Sequence, residues 1–312
     1  SRMRSFISRQ SEAAPSKPIR GTDQTASTET EPNDSFSQGT EISSGVLTGT
    51  LSGEDRQDYF RFELDAGAIL NLDFTAGEDS ELLKIALRDF ENNELWNSGE
   101  IGPGVTRSTR MLMNNLSGGI YYAVVHSGIG PYKLDLIIET QNDAGLGADA
   151  GDKITKALAL EPGSPFFGEM GAFDEEDWYR FDIPSGSVLK MTLSNYKEGT
   201  PMKFSFRNVD GVEVWRSEQL MPEAKNTTRM LVNNTTGGIY FMEAFDGSGP
   251  YEFGIYTEQQ NDAGLGTDAG DRIAGATKIT SQRTITGEVG DLDHEDWYTF
   301  ELLEGRRIQF TS

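Results

Sequence analysis

The chain repeats itself every 119 residues, and this period limits its possible folds more than any other feature. Asp58-Tyr59-Phe60-Arg61-Phe62 returns as Asp177-Trp178-Tyr179-Arg180-Phe181 and again as Asp296-Trp297-Tyr298-Thr299-Phe300; 177 − 58 and 296 − 177 both equal 119. At the same interval Thr109-Arg110-Met111-Leu112 recurs as Thr228-Arg229-Met230-Leu231, and Gly130-Pro131-Tyr132 as Gly249-Pro250-Tyr251. Gln141-Asn142-Asp143-Ala144-Gly145 likewise recurs as Gln260-Asn261-Asp262-Ala263-Gly264. One register held over so many blocks means duplicated units, each the size of an ordinary domain. The chain divides into a tail (1–28), two full copies (29–140 and 141–259) and the first part of a third (260–312). The Ser-, Thr- and Pro-rich tail lacks hydrophobic periodicity and reads as a linker from an upstream domain, with Arg2, Arg4 and Arg9 on a solvated flank.

Within a copy the hydrophobic period is two, the pattern of half-buried strands. Phe60, Phe62 and Leu64 alternate with Arg61 and Glu63, and Leu70, Leu72 and Phe74 with Asn71 and Asp73. Ile120 to Val125 is apolar on both faces and reads as a central strand. About eight strands per copy follow, with a helical turn expected only near Ile154–Leu160. Asp210-Gly211, and Asn92 at the matching place, predict type I′ hairpin turns. The fold class is all-β, as tandem antiparallel β-sandwich modules of jelly-roll type.

Charge and composition exclude several functions. Fifty acidic residues against 27 basic ones give a formal net charge of −23, which repels phosphate backbones and makes a nucleic-acid partner improbable. With no cysteine there is no disulfide scaffold, zinc–thiolate site or thiol nucleophile. The apolar runs are far shorter than the roughly 20 residues a membrane span needs. His126 and His294 are not repeat-equivalent and read as surface or loop residues. Acids that recur with the repeat argue against a catalytic pair, so no enzyme activity is expected.

Several motifs occur in a telling order: Glu31-Pro32-Asn33-Asp34-Ser35-Phe36, then Asp55-x-x-Asp58-Tyr59-Phe60-Arg61-Phe62, Gly118-Gly119-Ile120-Tyr121-Tyr122 and Gly130-Pro131-Tyr132-x-Leu134. Together they resemble the bacterial pre-peptidase C-terminal domain, a β-sandwich module related to the collagen-binding domains of clostridial collagenases. The resemblance implies a secreted, non-catalytic accessory module, sometimes calcium-bound.

Calcium takes six to eight oxygen ligands, which clustered carboxylates and carbonyls supply. Carried over position by position, the resemblance implies side-chain ligands Glu29, Glu31, Asn33, Asp34, Asp55 and Asp58, with carbonyls from Gly49 and Thr50. In the second copy Asp143, Asp149, Asp152, Asp174 and Asp177 are the candidates; in the third, Asp262, Asp268, Asp271, Asp293 and Asp296. There Asp149 and Asp152 stand in for Glu31 and Asp34, but nothing replaces Glu29 unless Asp143 folds back; fewer ligands would mean one ion or weaker binding. The copies join almost without a linker, so bound ions are expected to stiffen the joints.

The resulting reading is an extracellular or cell-surface calcium-binding array acting as spacer, adhesion or substrate-targeting module, with an extracellular protein, a polysaccharide or its own copies as partner. Two alternatives stand beside it: a surface filament or sheath subunit assembled through the tail and strand edges, and an accessory region of a secreted peptidase. Trp96, Trp178 and Trp215 and the strand methionines read as packing residues, and Asn115-Leu116-Ser117 and Asn234-Thr235-Thr236 as glycosylation sequons.

Overall fold

The alternating runs become paired strands in a computed structural model, which describes residues 26–113, 118–184, 186–232, 238–280, 284–290 and 293–309. Both sequons and residues 1–25 of the expected tail lie outside the described residues. In the first module one sheet is formed by β1 (Ser27–Thr28), β3 (Gly45–Leu51), β5 (Ala68–Ala76), β8 (Thr106–Met113) and β10 (Gly130–Thr140), in the order β1-β3-β10-β5-β8. The facing sheet contains β2 (Thr40–Glu41), β4 (Gln57–Leu64), β6 (Lys84–Asp89), β7 (Glu94–Asn97) and β9 (Gly119–His126), in the order β2-β4-β9-β6-β7. β9 lies at the centre of its sheet, as its two-sided apolar character predicts. The eight longer strands are those the alternation marks out, and β1 and β2 are added to them.

Those two additions pair parallel with β3 and β4, because the lead-in segment runs along each edge in the same direction as its neighbour. The tail is accordingly shorter than its alternation-free composition predicts: Ser27 and Thr28 belong to the sheet. A two-residue edge strand contributes too few side chains for a periodicity to register.

The second module repeats the plan. Its facing sheet runs β11 (Leu158–Leu160), β13 (Asp177–Ile183), β18 (Gly238–Phe245), β15 (Lys203–Asn208) and β16 (Glu213–Arg216). Its other sheet runs β12 (Pro165–Met170), β19 (Gly249–Gln259), β14 (Ser187–Asn195) and β17 (Lys225–Val232). In the third copy β20 (Thr277–Lys278) pairs parallel with β21 (Tyr298–Thr299). The helical turn expected near Ile154 is a single 3-10 turn, Ile154–Lys156.

Each sandwich encloses its own core, with Phe60, Phe62, Phe74 and Leu134 buried in the first and Phe181, Phe204, Phe206 and Phe253 in the second. Each such side chain contributes about 1.5–3 kcal/mol by leaving water. Met111, Met113, Met230 and Met242 fill the cores as expected, and Trp178 is buried. The hairpins depart from the expected type I′ form. Gly211 and Asn92 have positive φ (76° and 66°) while Asp210 does not, and Gly211 N–H donates to the Asn208 carbonyl at 2.9 Å. This is a type I turn closed by a left-handed residue, with a bulge in the adjoining strand, which restores the twist that a plain type I turn would spoil.

Candidate metal centres

Three chain segments bring the first module's acids together. The lead-in segment carries Glu29 to Asp34, β3 passes beneath it, the loop into β4 carries Asp55, and the start of β4 carries Asp58. Glu29 is fixed at both ends of its carboxylate: Thr50 N–H donates to Oε1 at 2.6 Å and Tyr132 Oη donates to Oε2 at 2.7 Å. Asp58 also lies in hydrogen-bond contact with the Tyr132 hydroxyl, whose single proton is shared between the two acids. Asn33 is fully buried, and its amide nitrogen, turned to the acids, lies 3.3 Å from Glu31 and 2.9 Å from Asp58. Carboxylate oxygens of Glu29, Glu31 and Asp58 lie within 4.8 Å of one another, and so do those of Glu31, Asp34 and Asp55. Glu31 is therefore common to two adjoining cages. Gly49 sits beside Glu29 and Tyr132, where a side chain would collide with both.

In the second module Asp143 does fold back. Asn142 Oδ1 accepts the Gly147 N–H at 2.6 Å, and Asp143 N–H donates to the Ala148 carbonyl at 2.9 Å, reversing the chain within six residues. Positive φ at Gly145 and Gly147 (75° and 69°) lets the loop close. Asp143 then accepts the Ala150 and Glu169 N–H groups, each at 3.1 Å. Glu169 is the repeat partner of Thr50, so Asp143 takes the place of Glu29 by another route. Asp143, Asp149 and Asp177 form one cage and Asp149, Asp152 and Asp174 the other, with Asp149 shared as Glu31 is. A carboxylate thus fills the place that the second copy's sequence leaves open at the Glu29 position. In the third copy Asp262, Asp268 and Asp296 converge in the same way, and Asp262 accepts from Ala269 and Glu288 N–H at 3.2 and 3.0 Å.

Many of these oxygens have no partner. Asp174, Asp177 and Asp293 are fully buried, yet each leaves Oδ1 without a hydrogen bond; so do Asp55, Asp149, Asp268, Asp271 and Asp296, and Asp152 leaves both oxygens bare. Such groups are costly unless something positive meets them. Without a counter-ion, burial and mutual repulsion hold several of the clustered acids above the usual carboxylate range. Burial first, then the Glu29 charge, pushes Asp58 up to about 8 against the Tyr132 hydrogen bond. Burial and then the neighbouring acids carry Asp55 up to about 7. Burial, followed by the Asp149 charge, raises Asp174 to about 9 and Asp143 to about 7. Asp177 is held well above the usual carboxylate range by burial and by Asp143. An oxygen-only donor set with shared carboxylates suits a hard divalent cation.

The sequence reading missed the residues that orient the acids. Tyr132 and Tyr251 each donate to the buried Asp of their module, and Tyr179 hydrogen-bonds Tyr251 at 2.7 Å. Gln141 and Gln260 donate to Asp174 and Asp293 at 2.5 and 2.6 Å. The recurring Gly-Pro-Tyr and Gln-Asn-Asp blocks were the available signal. Among the described residues no helix is long and apolar enough to cross a membrane.

No family model matches the chain, and no curated protein sequence matches it. Among solved structures it is similar to the pre-peptidase C-terminal domain of a collagenase from Bacillus anthracis, at 15% identity and TM-score 0.26, covering 38% of this chain and 99% of that one. It is also similar to a secreted protein from Eubacterium rectale, described there as putative, at 12% identity and TM-score 0.22, covering 76% and 85%. A third likeness is to the triple jelly-roll turret protein of an archaeal virus, at 12% identity and TM-score 0.20, covering 64% and 56%.

Proposed function

We propose that the chain is a non-catalytic array of calcium-binding β-sandwich modules from an exported protein, serving as spacer, adhesion or substrate-targeting element. The observation that carries this reading is the set of buried, unpaired carboxylate oxygens gathered at repeat-equivalent places in successive copies. In the first module Glu29, Glu31, Asp34, Asp55 and Asp58 would hold the ions; in the second, Asp143, Asp149, Asp152, Asp174 and Asp177. Calcium would supply charge neutralisation alone, and the chain's own part is to hold these acids at fixed distances. A site repeated with the module suits a structural ion better than a catalytic one. The motif resemblance to secreted accessory modules supports the exported setting.

Calorimetric titration of the metal-free chain with calcium is expected to show binding in more than one module. Asp55→Ala and Asp58→Ala should each remove the first module's share and leave the rest. A parent chain that releases no binding heat and gains no thermal stability with calcium defeats the reading.

A further inference from the structure

The recurring Thr-Arg-Met-Leu block takes no part in the cages, and the structure gives it another place. On β8 and β17 the methionines Met111 and Met230 enter the cores, while the arginines reach the next copy. Arg110 pairs with Glu169, and Arg229 Nη2 donates to Glu288 Oε2 at 2.8 Å. Beside the first pair, Gly171 lies so close to β8 that a Cβ there would sit 3.1 Å from Leu112 Cβ. Met113 and Phe173 form a parallel bridge, and Phe173 packs against the first module's core.

The second junction repeats these parts where it is described. Gln141 and Gln260 tie their backbone N–H groups to the preceding module's Gly67 and Gly186 carbonyls at 2.9 and 3.0 Å. Gly171 and Gly290 donate to the Asp174 and Asp293 carbonyls at 2.9 and 2.6 Å. In sequence the second copy reads Glu169, Gly171, Phe173 and the third Glu288, Gly290, Leu292, whereas the first reads Thr50, Ser52, Glu54.

We propose that the Glu169–Phe173 segment and its repeat counterpart from Glu288 to Gly290 are plugs that seat on the β8 and β17 edges of the preceding module, so that successive modules are related by one fixed rotation and translation. At the first junction Gly171 is needed for the close approach and Phe173 for contact with the preceding core, and at both junctions the ion pair sets the register. The first copy, with Glu54 in the apolar position, is not built to seat on another module of this kind, since an unpaired carboxylate is costly to bury there.

The absence of cysteine allows a direct test. Spin labels on the full chain at the exposed, repeat-equivalent pairs Glu63→Cys with Asp182→Cys, and Asp182→Cys with Glu301→Cys, report the two junctions separately. Pulsed dipolar measurements in calcium-containing buffer are expected to give narrow distance distributions with a common centre. Arg110→Glu and, separately, Gly171→Leu should each abolish the narrow component for the first pair and spare the second; adding Glu169→Arg to Arg110→Glu should restore it. Broad or unequal distributions in the parent, or no response to either substitution, would overturn the proposal. Neither substitution removes a cage oxygen, so a failure of calcium to bind, read by calorimetry, is a separate result.

Discussion

Stripping divalent ions from the chain should make its second module less stable as pH rises. Asp174 has an ordinary value of 3.8 in the unfolded chain and is raised to about 9 on folding. Between these limits the folded state keeps a proton that the unfolded state has released. A group raised on folding stabilises at low pH, and that stability is lost as pH climbs toward the folded value. From about pH 4 to pH 7 the change spans about three units at 1.36 kcal/mol each, or about 4 kcal/mol for this residue. Asp143 and Asp177 titrate in the same field, so their contributions are linked to it and do not simply add. Against a typical total of about 5–15 kcal/mol this is a large loss. Calcium should reverse the trend, because a bound ion replaces the protons; at a hundredfold excess over Kd it adds about 2.7 kcal/mol per site. The assay is urea unfolding followed by Trp178 and Trp215 fluorescence with Trp96 and Trp297 replaced by Phe, on metal-free and calcium-saturated protein. Asp174→Asn, neutral at every pH, should flatten the metal-free slope relative to its parent, which separates the cage from the general repulsion of a chain at net −23. A metal-free parent as stable at about pH 7.5 as at about pH 4.5, or an Asn variant with an unaltered slope, refutes the reasoning.

Gly168→Val should destabilise the second module by about 1–3 kcal/mol through overpacking, because a Cβ at 168 would lie 2.6 Å from the Tyr179 hydroxyl. Gly53→Ala, which meets open space, is the control, and equal urea midpoints for the two would contradict the packing argument. Chelation should expose the junction to limited proteolysis between Glu139 and Asp152, since Asp149 packs on Gly67 and Asp174 is tied to Gln141. An unchanged cleavage pattern there would mean that the ions do not stiffen the joint.

Much of this architecture can be read from the chain because strand faces are written as a period-two alternation of neighbouring residues. Phe60, Phe62 and Leu64 face one core for that reason alone. The hairpin turns were less legible: a positive φ at Gly211 or Asn92 is compatible with two turn types, and the choice between them depends on the bulge in the adjoining strand. Glu29, Glu31 and Asp58 could be grouped from spacing and resemblance, and Asp143 could be named beside them, but that it folds back could not be read. Its position is set by an Asn142–Gly147 hydrogen bond that closes a loop, and such a closure leaves no hydrophobic period.

By itself, then, the sequence determined the 119-residue repeat, its β character and the acidic nature of each lead-in, since repetition and alternation are local properties of the chain. Only the tertiary structure decided which acids share a cage, which tyrosines and glutamines hold them, and that a neighbouring module's arginine completes the junction. Those relations join residues dozens of positions apart, and they exist only once two sheets and a lead-in segment have been packed against one another.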